Sequence, residues 1–227
     1  MLQVCTKAMG KQFFQRRFQL LLGLIILTLL LSPLLGDLMG MRFLLNLFFT
    51  GILISASFAA SDRKSQPIIA SLLALPMLAS FWTSLLFPWP GLMVVELCSG
   101  VLFFCYIILV VLAYVLRSRY VTQEVISGAL VVYLLLGLLW TFLFTLVEHL
   151  NPGSFSFANT LGAEKRFSFI YYSYVTLTTL GYGDITPLTQ MSTALAVLEA
   201  IIGQIYLTVL IARLVGLHIS HNPKGEK

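Results

Sequence analysis

Long apolar segments alternate with short polar breaks along almost the whole chain. Six segments approach the roughly 20 apolar residues that a helix needs to cross a bilayer core. They are residues 18–35, 43–60, 68–87, 92–116, 126–147 and 191–217. The breaks between them contain glycine, proline or charged residues, which favour turns. The pattern predicts an all-α integral membrane protein with six transmembrane helices.

The linker between the fifth and sixth segments, residues 148–190, departs from this pattern. Residues 149–166 are polar, whereas residues 167–177 are aromatic and apolar but too short to span a bilayer. Glycines follow, which interrupt both helix and strand. Lipid cannot satisfy an irregular backbone, so such a stretch is stable only inside protein or beside a water-filled pathway. We therefore expect one re-entrant pore helix, followed by a loop that lines a pore.

Composition and charge agree with a membrane protein. Of the 227 residues, 59% are hydrophobic and 10% are charged, against about 25% charged in soluble domains. The net charge of +5 is not concentrated in an exposed basic patch, so nucleic acid is not an expected partner. The lysines and arginines lie at the ends of apolar segments, and only Arg42, Lys165 and Arg166 fall on the predicted outer side. The positive-inside rule then predicts that both termini are cytoplasmic.

The first apolar segment and the cysteines each allow a second interpretation. No A-x-A-like cleavage site follows residue 31, so we interpret the first segment as a retained span rather than a signal peptide. Cys98 and Cys105 share a helix face and lack a C-x-x-C pattern, which favours packing over a disulfide or a metal site.

The sequence Thr179-Leu180-Gly181-Tyr182-Gly183 matches the T-V-G-Y-G pattern of potassium-channel filters, with leucine in place of valine. The short apolar helix before it, Asp184 after it and Gly203 further along extend the match. Over residues 121–219 the chain therefore resembles the pore module of the tetrameric potassium channel superfamily. The resemblance implies a prokaryotic type of ion channel in the cytoplasmic membrane, which conducts K⁺ passively. Because one filter strand cannot enclose an ion, it also implies a homotetramer surrounded by membrane lipids, with permeant ions as the only small ligands.

The chemistry of such a filter accounts for the glycines. Rings of backbone carbonyls, together with a threonine hydroxyl, replace the hydration shell of K⁺. Successive carbonyls can face one axis only if the backbone alternates between ordinary and left-handed conformations, which Gly181 and Gly183 permit. The resemblance implies that residues 179–182 supply the carbonyls and that Gly183 lines the outer mouth. The side chains of Leu180 and Tyr182 are expected to point away from the axis.

The resemblance also implies which residues support the filter. Tyr171 and Tyr172 stand where relatives carry aromatic residues around the filter, and Thr178 and Asp184 flank it. Val175 stands where relatives carry a glutamate that pairs with the aspartate, so the brace is expected to differ here. The C-terminal end of the re-entrant helix carries partial negative charge, which favours a cation.

Glu199 is an acidic residue inside the last apolar segment, four residues before Gly203 and therefore on the same helix face. A charge there costs at least about 2.5–3.5 kcal/mol. One hypothesis is that Glu199 hydrogen-bonds near Thr176 or Thr178 and anchors the filter base. Two alternatives stay open: a cavity carboxylate that concentrates cations, and a protonated side chain without a special role.

The last segment also contains the candidate gate. By the resemblance, Gly203 is either a gating hinge or a close-packing site, and Gln204, Leu207 and Ile211 line the inner cavity. Residues 215–219 are a candidate inner constriction. His149 is either a proton sensor or, more commonly for such a position, a solvated loop residue.

The predicted fourth span lacks the basic residues of a voltage sensor. Voltage-sensing relatives carry several basic residues along the fourth span, because each charge moved across 100 mV contributes about 2.3 kcal/mol. Here residues 92–116 contain Glu96 and no lysine or arginine. We expect a leader at 1–17, a four-helix sensor-like domain without an arginine ladder at 18–120, the pore module at 121–219 and a short tail at 220–227. That tail leaves no room for a ligand-binding domain, so lipid, tension, pH, the filter itself or a constitutive leak remain as gating modes.

Three other functions are alternatives to a potassium-selective channel. A non-selective monovalent cation channel is compatible with Leu180 in the filter. A secondary transporter would show internal repeats and broken helices in both halves, and we find one re-entrant segment and no repeat. An enzyme is not expected, because no H-E-x-x-H or G-x-S-x-G motif occurs.

Overall fold

The computed structural model of the protein describes residues 17–31, 41–59, 66–86, 90–157 and 165–221. In this part of the chain, the helices are α1 (Arg17–Leu31), α2 (Met41–Ala59), α3 (Gln66–Leu86), α4 (Pro90–Arg117), α5 (Gln123–Leu150), α6 (Lys165–Leu177) and α7 (Gln190–His221). Two three-residue strands, β1 (Phe155–Phe157) and β2 (Ile185–Pro187), pair antiparallel. Residues 1–16 of the predicted leader and 222–227 of the tail lie outside the described residues.

Among the described residues, four helices are long and apolar enough to cross a membrane. They lie within α3, α4, α5 and α7, over residues 66–84, 91–117, 123–150 and 190–217. Residues 17–31 of α1 and 46–59 of α2 are shorter apolar helices. The described part of the chain is thus a helical membrane protein with four full-length spans. Of the first two predicted spans, α1 covers residues 17–31 against the predicted 18–35, and α2 covers residues 41–59 against the predicted 43–60.

Helix α5 lies between the leading helices and the rest of the chain. Each of α1, α2 and α3 packs against the next helix, and both α1 and α4 pack against α5. Aromatic side chains fill this bundle: the ring of Phe142 from α5 lies 6.3 Å from Phe49 and 5.4 Å from Phe104, between ring centroids. Helices α6 and α7 also pack against α5 and against each other. The long α5 therefore contacts both the leading helices and the helices α6 and α7.

A second, smaller core lies beneath the loops on either side of α6. It contains the rings of Phe144, Phe155, Phe169 and Tyr172, whose centroids lie 5.0–5.6 Å apart in edge-to-face contacts. The strand pair adds to this core, because it aligns Phe155 with Pro187. The strand pair joins the loop after α5 to the loop after the glycine-rich stretch. The described part of the chain is all-α apart from these two short strands, which the sequence pattern did not predict.

Glu148 positions the turn that leads into β1. Its side chain is buried, and its two carboxyl oxygens accept the backbone N–H groups of Gly153 at 3.2 Å and Phe155 at 3.3 Å. The turn continues through Ser154, whose carbonyl accepts the backbone N–H of Leu188 at 2.8 Å. These bonds attach the loop before α6 to the loop after it.

Polar contacts also join the helices at the opposite end of the molecule. The guanidinium of Arg213 on α7 donates to the carbonyls of Leu116 and Ser118, at and just beyond the end of α4. Such carbonyls carry partial negative charge, so a cation is favourable there. Arg17 on α1 lies 3.6 Å from the carboxylate of Glu124 on α5, between Nε and Oε1. At this end, a polar contact therefore joins α1 to α5, and another joins α4 to α7.

Candidate ion pathway

Helix α6 is the predicted re-entrant segment. It has 13 residues and spans about 20 Å at 1.5 Å per residue, which is too short to cross a bilayer. It lies close to α5 at Gly137, where an added Cβ would be 2.5 Å from Cε1 of Tyr174. The hydroxyl of Tyr174 donates to the carbonyl of Leu134 on the same helix, at 2.6 Å. A side chain at position 137 would hold the two helices apart.

Helix α7 meets the end of α6 at Gly203. An added Cβ at this position would lie 2.5 Å from the carbonyl oxygen of Leu177, the last residue of α6. Of the two roles considered for Gly203, close packing therefore has direct geometric support. A hinge at this glycine stays a prediction.

The backbone after α6 alternates between two conformations. Thr179, Gly181 and Gly183 have φ values of 60°, 58° and 79°, which lie in the left-handed region. Every second residue of this stretch is thus left-handed, which matches the alternation expected from the two glycines. Thr179 was not expected to join it, because a left-handed conformation costs a non-glycine residue about 1–3 kcal/mol.

The carbonyl of Val175 braces this loop. It accepts the backbone N–H groups of Leu180 at 2.9 Å and of Gly181 at 3.3 Å. The hydroxyl of Thr178 donates to the carbonyl of Tyr174 at 2.6 Å, which holds the start of the loop on the last turn of α6. Val175 stands where relatives carry a glutamate, and here its main-chain carbonyl, rather than a side chain, holds the loop.

Tyr171 and Asp184 hold the outer part of the loop. The ring of Tyr171 stacks on the ring of Tyr182, with centroids 6.3 Å apart and planes 3° from parallel. The hydroxyl of Tyr171 donates to Asp184, which also accepts the N–H of Ile185 at 3.1 Å. Burial, and after it the hydrogen bond to Asp184, raises the pKa of Tyr171 to about 12, so this hydroxyl keeps its proton. Of the two tyrosines predicted to surround the loop, Tyr172 instead packs in the smaller aromatic core.

Comparison with known protein families covers this same region. Residues 129–218 match the family whose description is ion channel, from the second turn of α5 to the last turn of α7. This part of the chain, residues 129–218, is therefore similar to an ion channel, and it is called the channel domain below. No curated protein and no solved structure matches the chain.

The candidate pathway of the channel domain lies on the surface of the single chain. Residues 178–183 are exposed, and Leu180 and Tyr182 retain 56% and 65% of their accessible surface. Along α7, Gln204 and Ile211 are exposed and Leu207 is half-buried. The same helix exposes apolar side chains along much of its length: Val197, Leu198, Ile201, Ile202, Ile205, Val209 and Val215. Leu180 therefore points away from its own chain's core rather than packing within it.

Glu199 of the channel domain does not contact the residues predicted for it. Its side chain is completely buried, and its Oε1 lies 2.6 Å from the hydroxyl oxygen of Ser173 rather than near Thr176 or Thr178. The reason is the register of the two helices. Since Gly203 meets Leu177, the residue one turn earlier on α7 meets the residue one turn earlier on α6. Its lack of exposed surface in the single chain argues against a carboxylate that lines a solvent-filled cavity.

Ser173 is the residue that sequence reasoning missed. Its hydroxyl is fully buried and also lies 2.7 Å from the carbonyl oxygen of Gly137 on α5. A weak signal was present in the chain, because a serine stands in the apolar half of a segment that was already interpreted as a pore helix. Its two partners are 36 and 26 residues away, so only the fold identifies them.

Proposed function

We propose that the protein is a potassium-selective channel that conducts K⁺ passively through a filter formed by residues 179–183. The observation that carries the proposal is the left-handed conformation at Thr179, Gly181 and Gly183, directly after a re-entrant helix. Such an alternation allows the carbonyls of residues 179–182 to face one side, where they can replace the hydration shell of K⁺. The hydroxyl of Thr179 is the innermost ligand, and Gly183 lines the outer mouth.

The functional unit is a homotetramer. A single filter strand cannot enclose an ion, and a cyclic assembly of four chains closes a ring of strands around one axis. Exposure of residues 178–183 and of apolar side chains along α7 supports this assembly, because neighbouring chains would cover both in a tetramer. Native mass spectrometry of the purified protein in detergent is expected to give the mass of four chains.

The channel works without a conventional voltage sensor. Helix α4 carries one acidic residue, Glu96, and its only basic residue is Arg117 at its end. That content cannot supply the several moving charges that steep voltage dependence requires. The distribution of basic residues at the ends of the apolar segments supports a cytoplasmic position for both termini.

A non-selective monovalent cation channel is the second candidate. The observation in its favour is Leu180, which replaces the valine of the common filter motif and is 56% exposed in the single chain. Its packing, and with it the width of the filter, then depends on the neighbouring chain.

The deciding experiment is a reversal-potential measurement on the purified protein in lipid bilayers, with K⁺ on one side and Na⁺ on the other. A reversal near the K⁺ equilibrium potential supports the potassium channel, and robust current that reverses near zero supports the non-selective channel. Absence of ion flux from a folded tetramer, in gradients of either cation, would count against both.

Two glycine variants link the result to the filter. Gly181 and Gly153 both have positive φ, of 58° and 88°, and an added Cβ meets no atom within 4 Å at either site. Alanine therefore strains the backbone similarly at both positions. G181A is expected to abolish K⁺ selectivity or current, whereas G153A, in the loop before β1, is expected to keep both. If G181A and G153A have equal effects, selectivity does not depend on the alternating backbone of residues 179–183.

A further inference from the structure

Ser173, Glu199 and the carbonyl of Gly137 form a buried polar cluster that joins three helices. The hydroxyl oxygen of Ser173 on α6 lies 2.6 Å from Oε1 of Glu199 on α7 and 2.7 Å from the carbonyl oxygen of Gly137 on α5. Ser173 and Glu199 have no exposed surface. Both distances are typical of O–H···O hydrogen bonds. The cluster lies one helical turn before Leu177, the residue that precedes the candidate filter.

The hydrogens in this cluster can be counted. Two short oxygen–oxygen contacts need two hydrogens, and the serine hydroxyl supplies one. The carbonyl of Gly137 supplies none, and it already accepts the hydroxyl of Thr141 at 2.8 Å. The second hydrogen must therefore come from the carboxyl group of Glu199. In that arrangement Glu199 donates to Ser173, and Ser173 donates to Gly137.

The alternative, an ionised Glu199, fits the surroundings poorly. Ser173 would then donate to Glu199, and two lone pairs would face each other across 2.7 Å at Gly137. The second carboxyl oxygen, Oε2, is buried and has no hydrogen-bond partner among the described residues. Within the described part of the chain, the titratable groups that face Glu199 are the phenols of Tyr133, Tyr172 and Tyr174, and none of these supplies a positive charge. A buried carboxylate needs hydrogen-bond donors or a cation, and neither is sufficient here.

We propose that Glu199 carries its proton in the folded channel and, through Ser173, positions α6 between α5 and α7. Glu199 is then a positioning residue for ion conduction rather than a charge that attracts cations. The role in conduction rests on the proposed function, because α6 carries the candidate filter; the protonation state does not.

The register explains what the cluster positions. Helix α7 contacts α6 at Ser173 and again, one turn later, where Gly203 meets Leu177. Two contacts one turn apart determine the rotation of α6 as well as its distance from α7. The bond from Ser173 to Gly137 sets the distance to α5 at the point where Tyr174 also packs against that glycine. Loss of the cluster leaves α6 free to rotate, and Leu177 and the loop after it move with that rotation.

The proton itself is tested by infrared difference spectroscopy at neutral pH. The spectrum of the wild type minus that of E199Q is expected to contain the C=O stretching band of a protonated carboxylic acid. E148Q is the matched control, because Glu148 is also buried but its oxygens accept two backbone N–H groups and need no proton. That variant is expected to remove a carboxylate band instead. A carboxylate band lost in E199Q would overturn the proposal.

The positioning role is tested by reversal potential. E199Q keeps a donor for Ser173 and is expected to retain the wild-type K⁺/Na⁺ reversal, whereas S173A removes the central member and is expected to shift the reversal toward zero. S168A is the matched control, since Ser168 is a buried serine on the same helix outside the cluster. Equal reversal potentials for S173A and S168A would overturn the positioning role.

The two experiments fail independently. If the wild type is not K⁺-selective, the proposed function fails while the infrared band still reports the proton. If E199Q does not assemble, the wild type minus S173A spectrum replaces it, because removing the acceptor shifts the frequency of the same band. An unshifted acid band, or none, would contradict the proposal.

Discussion

Gly203 offers a direct test of how α7 controls the candidate filter. Substitution by alanine adds a methyl group 2.5 Å from the carbonyl oxygen of Leu177 and 2.9 Å from its Cδ1. The side-chain atom can rotate away, whereas the carbonyl oxygen belongs to the last residue of α6. Because real Cβ atoms essentially never come closer than 3.0 Å to such an atom, the two helices must separate there by about 0.5 Å or more. That displacement occurs one residue before the loop at 178–183.

The change in stability is expected to be small because two effects oppose each other. Overpacking a tight contact costs typically about 1–3 kcal/mol. Alanine is favoured over glycine inside a helix by about 0.8–1.0 kcal/mol. The net destabilisation of G203A is therefore about 0–2 kcal/mol. G23A is the matched control, since an added Cβ at Gly23 in α1 meets nothing within 4 Å and only the helix-propensity gain applies.

The assay combines thermal unfolding in detergent with bilayer recordings of both variants. We expect G203A to lower the K⁺/Na⁺ selectivity or the single-channel conductance although its stability changes little. G23A is expected to conduct as the wild type does. A different result, in which G203A gains as much stability as G23A and keeps wild-type selectivity and conductance, would refute the close contact between Gly203 and Leu177 in the working channel. An altered open probability at unchanged conductance would instead support Gly203 as a hinge.

Two further substitutions test contacts at the two ends of the channel domain. Y171F keeps the stacked ring but removes the hydrogen bond to Asp184, worth about 1 kcal/mol, so the filter is expected to lose selectivity in long recordings. The pKa of Tyr171 is raised to about 12. The hydrogen bond to Asp184 therefore stabilises the filter fully below about pH 10, and this stabilisation is lost as the pH rises toward 12. Wild-type selectivity that declines between neutral pH and about pH 9 would contradict this role of Tyr171. R213A removes the contact of α7 with the end of α4 and is expected to lower the free energy of unfolding by about 1 kcal/mol, whereas R117A, at an exposed arginine, is expected to change it by less than about 0.5 kcal/mol. Equal melting temperatures for R213A and R117A would show that the α4–α7 contact contributes nothing to stability.

Some features of the candidate site could be predicted because they depend on single residues. Left-handed backbone at Gly181 and Gly183 follows from the absence of a Cβ atom, and both positions have it. The short apolar helix before the loop was also predicted, and α6 has 13 residues. Thr179 could not be predicted in the same way, because a threonine disfavours this conformation and adopts it only where surrounding bonds hold it.

Other features depend on pairs of residues that are distant in the sequence. Strands of three residues are too short to show alternation, so β1 and β2 were not predicted. The partner of Glu199 was placed one turn too far along α6. Helix periodicity gives the face on which Glu199 lies but not the height at which a neighbouring helix meets that face.

The sequence by itself predicted an integral membrane protein, an apolar segment too short to span the bilayer, and a glycine-rich loop after that segment. These conclusions rest on hydrophobic length and on the steric freedom of individual residues, which are local properties. Only the tertiary structure decided that Ser173 joins Glu199 to Gly137, that Gly203 touches Leu177, and that Arg213 holds the end of α4. The physical reason is that the register between packed helices is set by the shapes of all the contacting side chains together, and no local pattern contains that information.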